Sequence, residues 1–294
     1  MPSRIWRCLE PDAAVWPRGW RDLEDPPARV FVTGQEQVLR DEILAVVGTR
    51  GATPRGLAVA RSLAGGLARR GWTIASGLAL GIDAEAHTGA LAVNGLTIAV
   101  MATGPERTYP SQHSSLRERI ERTGCCVTES EPGGGAGGRW LFPRRNRLLA
   151  ALARGVIVVE APRRSGALLT AQLAVDLGRP VWAVPGPVDA SASVGCHDLL
   201  RNGAALCTGC EDIDLQLPPP RQATEPAGPP LPQPGSAARW ILDRLDLDGV
   251  ALEELRARWP GTTAMWSEGM LALELAGLIR RLPGGRLAPR LWRA

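Results

Sequence analysis

The sequence predicts an extended Rossmann-like α/β fold, with a doubly wound, mostly parallel sheet, and then a small C-terminal winged-helix domain. Three observations carry this. From residue 43 onward, six short apolar runs alternate with stretches of helical periodicity; a proline-rich stretch then breaks all periodicity; and the remainder holds three helical patterns and a Gly-Gly turn. Alternating strand and helix favours a parallel sheet covered on both faces.

Residues 1–42 stand outside the alternation. They hold Trp-Pro and Pro-Pro pairs and one short apolar run, Val30-Phe31-Val32, and are expected to form a lead-in packed on the core. The runs at 43–47, 72–75, 97–101, 125–128, 156–159 and 181–184 have the length and polarity of buried strands. Between the first two, Leu57, Ala60, Leu63, Ala64 and Leu67 recur at the spacing of an amphipathic helix. The Rossmann-like domain is therefore assigned to 43–216. Prolines at 218, 219, 220, 226, 229, 230, 232 and 234 make 217–236 a semi-extended linker, because such a composition cannot bury a core. Helical patterns at 237–245, 252–259 and 263–278 precede Gly284-Gly285 between apolar flanks, a hairpin signature. Three helices and a hairpin make a winged helix over 237–294.

Composition narrows the function classes. Hydrophobic content of 45% and charged content of 22% are those of a globular protein. Net charge is +4, and all 34 basic residues are arginine, planar forks suited to phosphate and able to stack on bases. Six unevenly spaced cysteines, an N-terminus without an apolar secretory core and the lack of any run of membrane-spanning length predict a cytoplasmic protein with no membrane association.

In a doubly wound sheet, ligands sit beyond the carboxyl ends of the strands, so the loops there are the places to search. The first strand opens into Gly48-Thr-Arg-Gly-Ala-Thr-Pro-Arg-Gly56, with Arg50 ahead of a helix start at Pro54, an arrangement suited to a phosphate. After the second, Ser76 and Gly77 offer a hydroxyl and an N–H, with Asp83 as either a cap or a ligand. The most informative loop is glycine-rich at 133–138 and delivers Trp140-Leu-Phe-Pro-Arg-Arg-Asn-Arg147 into a helix. Between 139 and 164 seven arginines face one acid, Glu160. On that helix Arg144 and Arg147 share a face while Asn146 points elsewhere. A helix that opens on arginines opposes its own dipole, and an external anion would relieve the conflict. Trp140 and Phe142 either stack on bases or pack in the core. A last loop sets Arg163, Arg164, Ser165 and Gly166 at another helix start, followed by Thr170. Walker A, nucleophile-elbow and zincin motifs are missing, so no catalytic residue and no cofactor is assigned. His197 lies beside Cys196, with Cys207 and Cys210 downstream, but adjacent residues rarely both reach one tetrahedral ion, so no metal is assigned.

Val47-Gly-Thr-Arg50, Ser76-Gly-Leu-Ala-Leu-Gly-Ile-Asp83, Tyr109-Pro110, Phe142-Pro-Arg-Arg-Asn-Arg147, Ser165-Gly-Ala-Leu-Leu-Thr170 and Ala183-Val-Pro-Gly186 together resemble the DNA-processing protein A (DprA/Smf) family, from about Trp16 onward. The resemblance implies a homodimer that binds single-stranded DNA, protects incoming strands in natural transformation and hands them to the RecA recombinase. It carries DNA contact over to Arg50, Arg144, Arg145, Asn146 and Arg147, and also to Ser76, Gly77, Ser165, Gly166 and Thr170. The chain departs from the family pattern at Thr103-Gly-Pro-Glu106 and Gly195-Cys-His197, and in its flexible run 133–138. One competing reading is a nucleotide phosphoribohydrolase of the lysine-decarboxylase-like (LOG) type, for which Pro132-Gly-Gly lacks the following Thr and Glu. The other is a transcription regulator, whose recognition helix from Thr263 carries Glu268 and no arginine.

Overall fold

The apolar runs become neighbouring strands of one sheet in a computed structural model, which describes residues 5–133, 140–220, 232–233, 235–246, 249–276 and 278–289. The strands are β1 (Arg7–Leu9), β2 (Val30–Gly34), β3 (Ile43–Val47), β4 (Thr73–Ser76), β5 (Thr97–Val100), β6 (Cys125–Thr128), β7 (Gly155–Val158), β8 (Val181–Ala183) and β9 (Ala205–Leu206). They lie in the order β1-β2-β6-β5-β4-β3-β7-β8-β9. All pairings from β6 through β9 are parallel, whereas β1–β2 and β2–β6 are antiparallel. The lead-in thus enters the sheet itself, with Phe31 opposite Thr128 and Gly34 opposite Cys125.

The helices of this part are α1 (Pro54–Arg69), α2 (Ile82–Ala92), α3 (Ser114–Thr123), α4 (Leu141–Leu152), α5 (Gly166–Asp176), α6 (Val194–Arg201) and α7 (Cys210–Asp214). Alternate residues of β3 show how both faces are covered. Ile43, Ala45 and Val47 pack with Leu148, Leu149 and Leu152 of α4 and Ala171 and Ala174 of α5. Leu44 and Val46 pack with Ala60, Leu63 and Leu67 of α1 and Ala86 of α2. The lead-in closes over α4: Trp16 and Trp20 meet edge to face at 5.2 Å, and the Trp20 indole donates to the Leu148 carbonyl at 3.0 Å. From β3 the chain winds one way through β4, β5 and β6, then returns on the other side as β7 and β8. The reversal between β3 and β7 is the place where such sheets open a crevice.

The chain divides into two compact units, Met1–Ala223 and Thr224–Ala294. Much of the 217–236 linker reading falls on 221–231 and 234, and most of the glycine-rich run lies at 134–138; both lie outside the described residues. The second unit has α8 (Ala237–Leu242), α9 (Leu252–Ala257) and α10 (Thr263–Leu275), with strands β10 (Val250–Ala251), β11 (Ile279–Leu282) and β12 (Arg286–Pro289) in the order β10-β12-β11. Ser236 and Thr262 cap α8 and α10 by accepting from the Arg239 and Met265 amides. Gly284 and Gly285 turn the hairpin at φ +78 and +70, both in the left-handed region where a side chain would be strained. Ile241, Leu255, Trp266, Leu273 and Leu287 form its own core. Among the described residues, no helix is long and apolar enough to cross a membrane.

Candidate functional site

At the switch point, α1 starts with Thr53 as its N-cap, whose hydroxyl accepts from the Gly56 amide at 3.0 Å. Glu160, just after β7, reaches across and accepts from the Thr53 amide at 2.9 Å and the Thr53 hydroxyl at 2.6 Å. A Cβ on Gly56 would lie 2.3 Å from the Glu160 carboxyl carbon, so glycine is what admits the carboxylate. At the helix start itself, the chain's own carboxylate thus takes the Thr53 amide and hydroxyl that an outside anion would otherwise meet. Arg50 remains exposed. Its guanidinium carbon lies 4.7 Å over the Phe142 ring, and Tyr109 meets the same ring at 5.5 Å.

The next loop is built around a buried arginine. Arg145 is 7% exposed and donates from Nη1 to the carbonyls of Gly77, at 2.7 Å, and Val100. A Cβ on Gly77 would fall 2.1 Å from that nitrogen. The Gly77 amide donates to Asp83 at 3.1 Å and the Ala79 amide at 3.4 Å, so Asp83 ties down the loop; Leu78 between them is left-handed at φ +57. Burial pushes the Asp83 carboxyl up while Arg145 pulls it back, and burial pulls Arg145 down against Asp83. Ser76 is fully buried and donates its hydroxyl to the Val46 carbonyl at 2.6 Å. Asn146 accepts from Arg145 Nε at 3.1 Å and donates to the Gly166 carbonyl at 3.2 Å. Ser165 caps α5 by accepting from the Ala167 amide at 3.3 Å; Gly166 is exposed and Thr170 buried. Gly77, Arg145, Asn146 and Gly166 therefore form one contact network that joins β4, α4 and α5.

Arg144 and Arg147 do share a face of α4, and an acid of the chain itself already meets that face. Both guanidiniums contact the Glu129 carboxylate, which is only 9% exposed, and Arg147 also lies 3.6 Å from Asp25. These two acids supply the anionic charge that the segment 139–164 itself lacks around its arginines. Both were missed because they lie upstream of the 139–164 window, although Glu129 directly follows a strand and so stands at the carboxyl edge. Trp140 is 62% exposed, and Phe142 is half-buried against Arg50 and Tyr109. Arg139 lies outside the described residues. Arg163 approaches Asp198 at 3.6 Å, and Arg164 is exposed.

Other titratable groups serve the core. Thr97 donates to the Ile74 carbonyl, so His87 is the donor in its 2.7 Å bond to Thr97 and carries its proton on Nδ1. Burial, helped by His113 and Arg145, pulls His87 down to about 3. Burial likewise pushes the Cys196 thiol up to about 11 and those of Cys207 and Cys210 to about 12. Among the described residues no cluster of His, Cys, Asp or Glu has the geometry to hold a metal.

The DNA recombination-mediator protein A family model matches residues 7–218, and the DprA winged helix domain model matches 225–285. The putative DNA processing protein DprA of Mycobacterium tuberculosis is 54% identical over 169 residues, 58% of this chain; the match spans only 43% of that relative's length. Protein Smf of Escherichia coli is 37% identical over 93% of this chain and 75% of its own. The solved structure of DprA from Streptococcus pneumoniae superposes with a TM-score of 0.69 at 36% identity, covering 73% of this chain and 75% of that one. A structure that describes the single-stranded DNA binding mode of DNA processing protein A from Helicobacter pylori superposes at 0.64 and 29% identity, over 71% and 93%.

Proposed function

This chain belongs to the DNA recombination-mediator protein A family, and from that premise we propose that it binds single-stranded DNA along the carboxyl edge of its main sheet without catalysing a reaction on it. The observation that carries the proposal is the exposed Arg50 over Phe142, with Tyr109 beside it. A cation for backbone phosphate next to aromatic faces for bases is what single-strand binding requires. The Helicobacter pylori relative supports the choice of ligand. In this reading Arg50, Arg144, Ser165 and Gly166 are the accessible contacts. Ser76, Gly77, Arg145, Asn146 and Thr170 build the floor that positions them, and Arg147 supports from below. The protein acts as a homodimer that shields incoming strands and loads RecA during transformation and recombination in the cytoplasm, which predicts a two-chain mass in solution and faster RecA assembly on a coated strand.

The primary test is a titration of the full chain with labelled oligo-dT at several salt concentrations. Arg50→Ala and Arg144→Ala each weaken binding to all sequences alike and flatten the log–log salt slope by about 1 per lost phosphate contact. Parent-like affinity in the double variant would reject these contacts. The nucleotide-hydrolase reading gains no support from Glu160, whose carboxylate is engaged by Thr53. The transcription-regulator reading gains none from α10, which exposes Ala264, Met265, Glu268 and Leu271.

A further inference from the structure

The Glu129 contact is asymmetric in a way that charge neutrality alone does not require. α4 places Arg144 and Arg147 one turn apart, so that Arg144 Nε meets Oε1 of Glu129 and Arg147 Nη2 meets Oε2. Their surroundings differ. The Arg147 side chain is 12% exposed and has a second acid, Asp25, within 3.6 Å; the Arg144 side chain is 49% exposed. A carboxylate as buried as Glu129 is costly to leave without a cation. With Arg147 in place, however, Arg144 can leave and Glu129 stays compensated.

We propose that Glu129 is an internal counter-ion that restrains Arg144, with Arg147 as the fixed partner that lets Arg144 exchange between Glu129 and a DNA phosphate. The inference rests on the reading of Arg144 as a strand contact. Engaging DNA through Arg144 then replaces one ion pair by another, and only the difference adds to affinity. Removing the Glu129 charge frees Arg144 and tightens binding. Removing Arg147 leaves Arg144 as the sole guanidinium on Glu129, holds it there more firmly and weakens binding, although Arg147 itself touches no DNA.

The test is oligo-dT affinity of the full chain as parent, Glu129→Gln, Arg147→Ala and the double variant, with melting temperatures measured alongside. Glu129→Gln is expected to bind up to about fivefold tighter, the scale of a partly exposed ion pair. Arg147→Ala binds more weakly than parent, and the loss vanishes in the Glu129→Gln background. Because Arg147 is mostly buried and its removal threatens folding, Arg144→Ala supplies a second cycle: it costs more affinity in Glu129→Gln than in the parent. If Glu129→Gln binds no tighter than parent, Glu129 does not restrain Arg144. A loss in Arg147→Ala that persists beside Glu129→Gln makes Arg147 a direct contact and also ends the idea. A parent that fails to bind oligo-dT overturns the function and this inference together, whereas a binding parent without the gain overturns the inference alone.

Discussion

Arg144 and Arg145 are neighbours of identical chemistry whose side chains meet opposite circumstances. Arg144 is half exposed on the Glu129 carboxylate, while Arg145 is buried and holds the carbonyls of Gly77 and Val100. Removing Arg145 strips those carbonyls of their donor and leaves the buried Asp83 without its neighbouring cation. Arg145→Ala should therefore cost about 3–5 kcal/mol in urea unfolding, where Arg144→Ala costs little. His87 adds a pH dependence of known sign. Its folded value near 3 lies below the ordinary 6.5, so the unfolded chain takes up the extra proton. The stabilisation is complete above pH 6.5 and drains away as pH falls towards 3, by up to about 1.4 kcal/mol per pH unit. His87→Gln should flatten that part of the stability profile, and an unchanged slope would place the dependence elsewhere. Residue by residue, the sequence singled out the segment from Arg144 to Arg147 but did not show which arginine turns inward. The signal was present: one helical turn back from the buried Leu149, and two back from Leu152, lands on Arg145.

Elements were more legible than side chains. Contiguous apolar runs located six of the seven parallel strands to within one residue, because burial on both faces leaves few polar positions to blur the pattern; the two-residue β9 is too short to make such a run. β2 was visible as an apolar run but not as a member of the sheet. A strand that joins antiparallel before the first strand–helix unit breaks the alternation that marks the others. The Gly-Gly hairpin was legible from its turn chemistry alone. The helix end at α1 was legible as an anion site but not as an occupied one, since Glu160 lies far along the chain and comes adjacent only through the β3–β7 pairing. The contact belongs to the element and not to one side chain, because it joins the start of α1 to the end of β7. Glu160→Ala should cost about 1–3 kcal/mol, the desolvation penalty of donors left unpaired, in chemical denaturation. A neutral outcome would mean that water serves Thr53 equally well.

At the scale of the whole molecule, every candidate DNA contact falls in the unit Met1–Ala223, and the second unit has a separate hydrophobic core. A fragment of residues 1–220 is thus expected to keep most of the oligo-dT affinity of the full chain; loss of binding would give the winged helix a direct part in holding the strand. The carboxylate lodged at α1 bears on how a strand would be held. Backbone amides form a rigid cradle that fixes a single phosphate at a single spot. Here the cradle at α1 is filled from within, and the charged groups left at the rim, Arg50 and Arg144, are guanidiniums on long, rotatable stems. A polymer gripped by such arms can slip by a nucleotide and be regripped without any loop reforming. Its occupancy would then depend on how much strand is present and not on where along the strand the protein has landed.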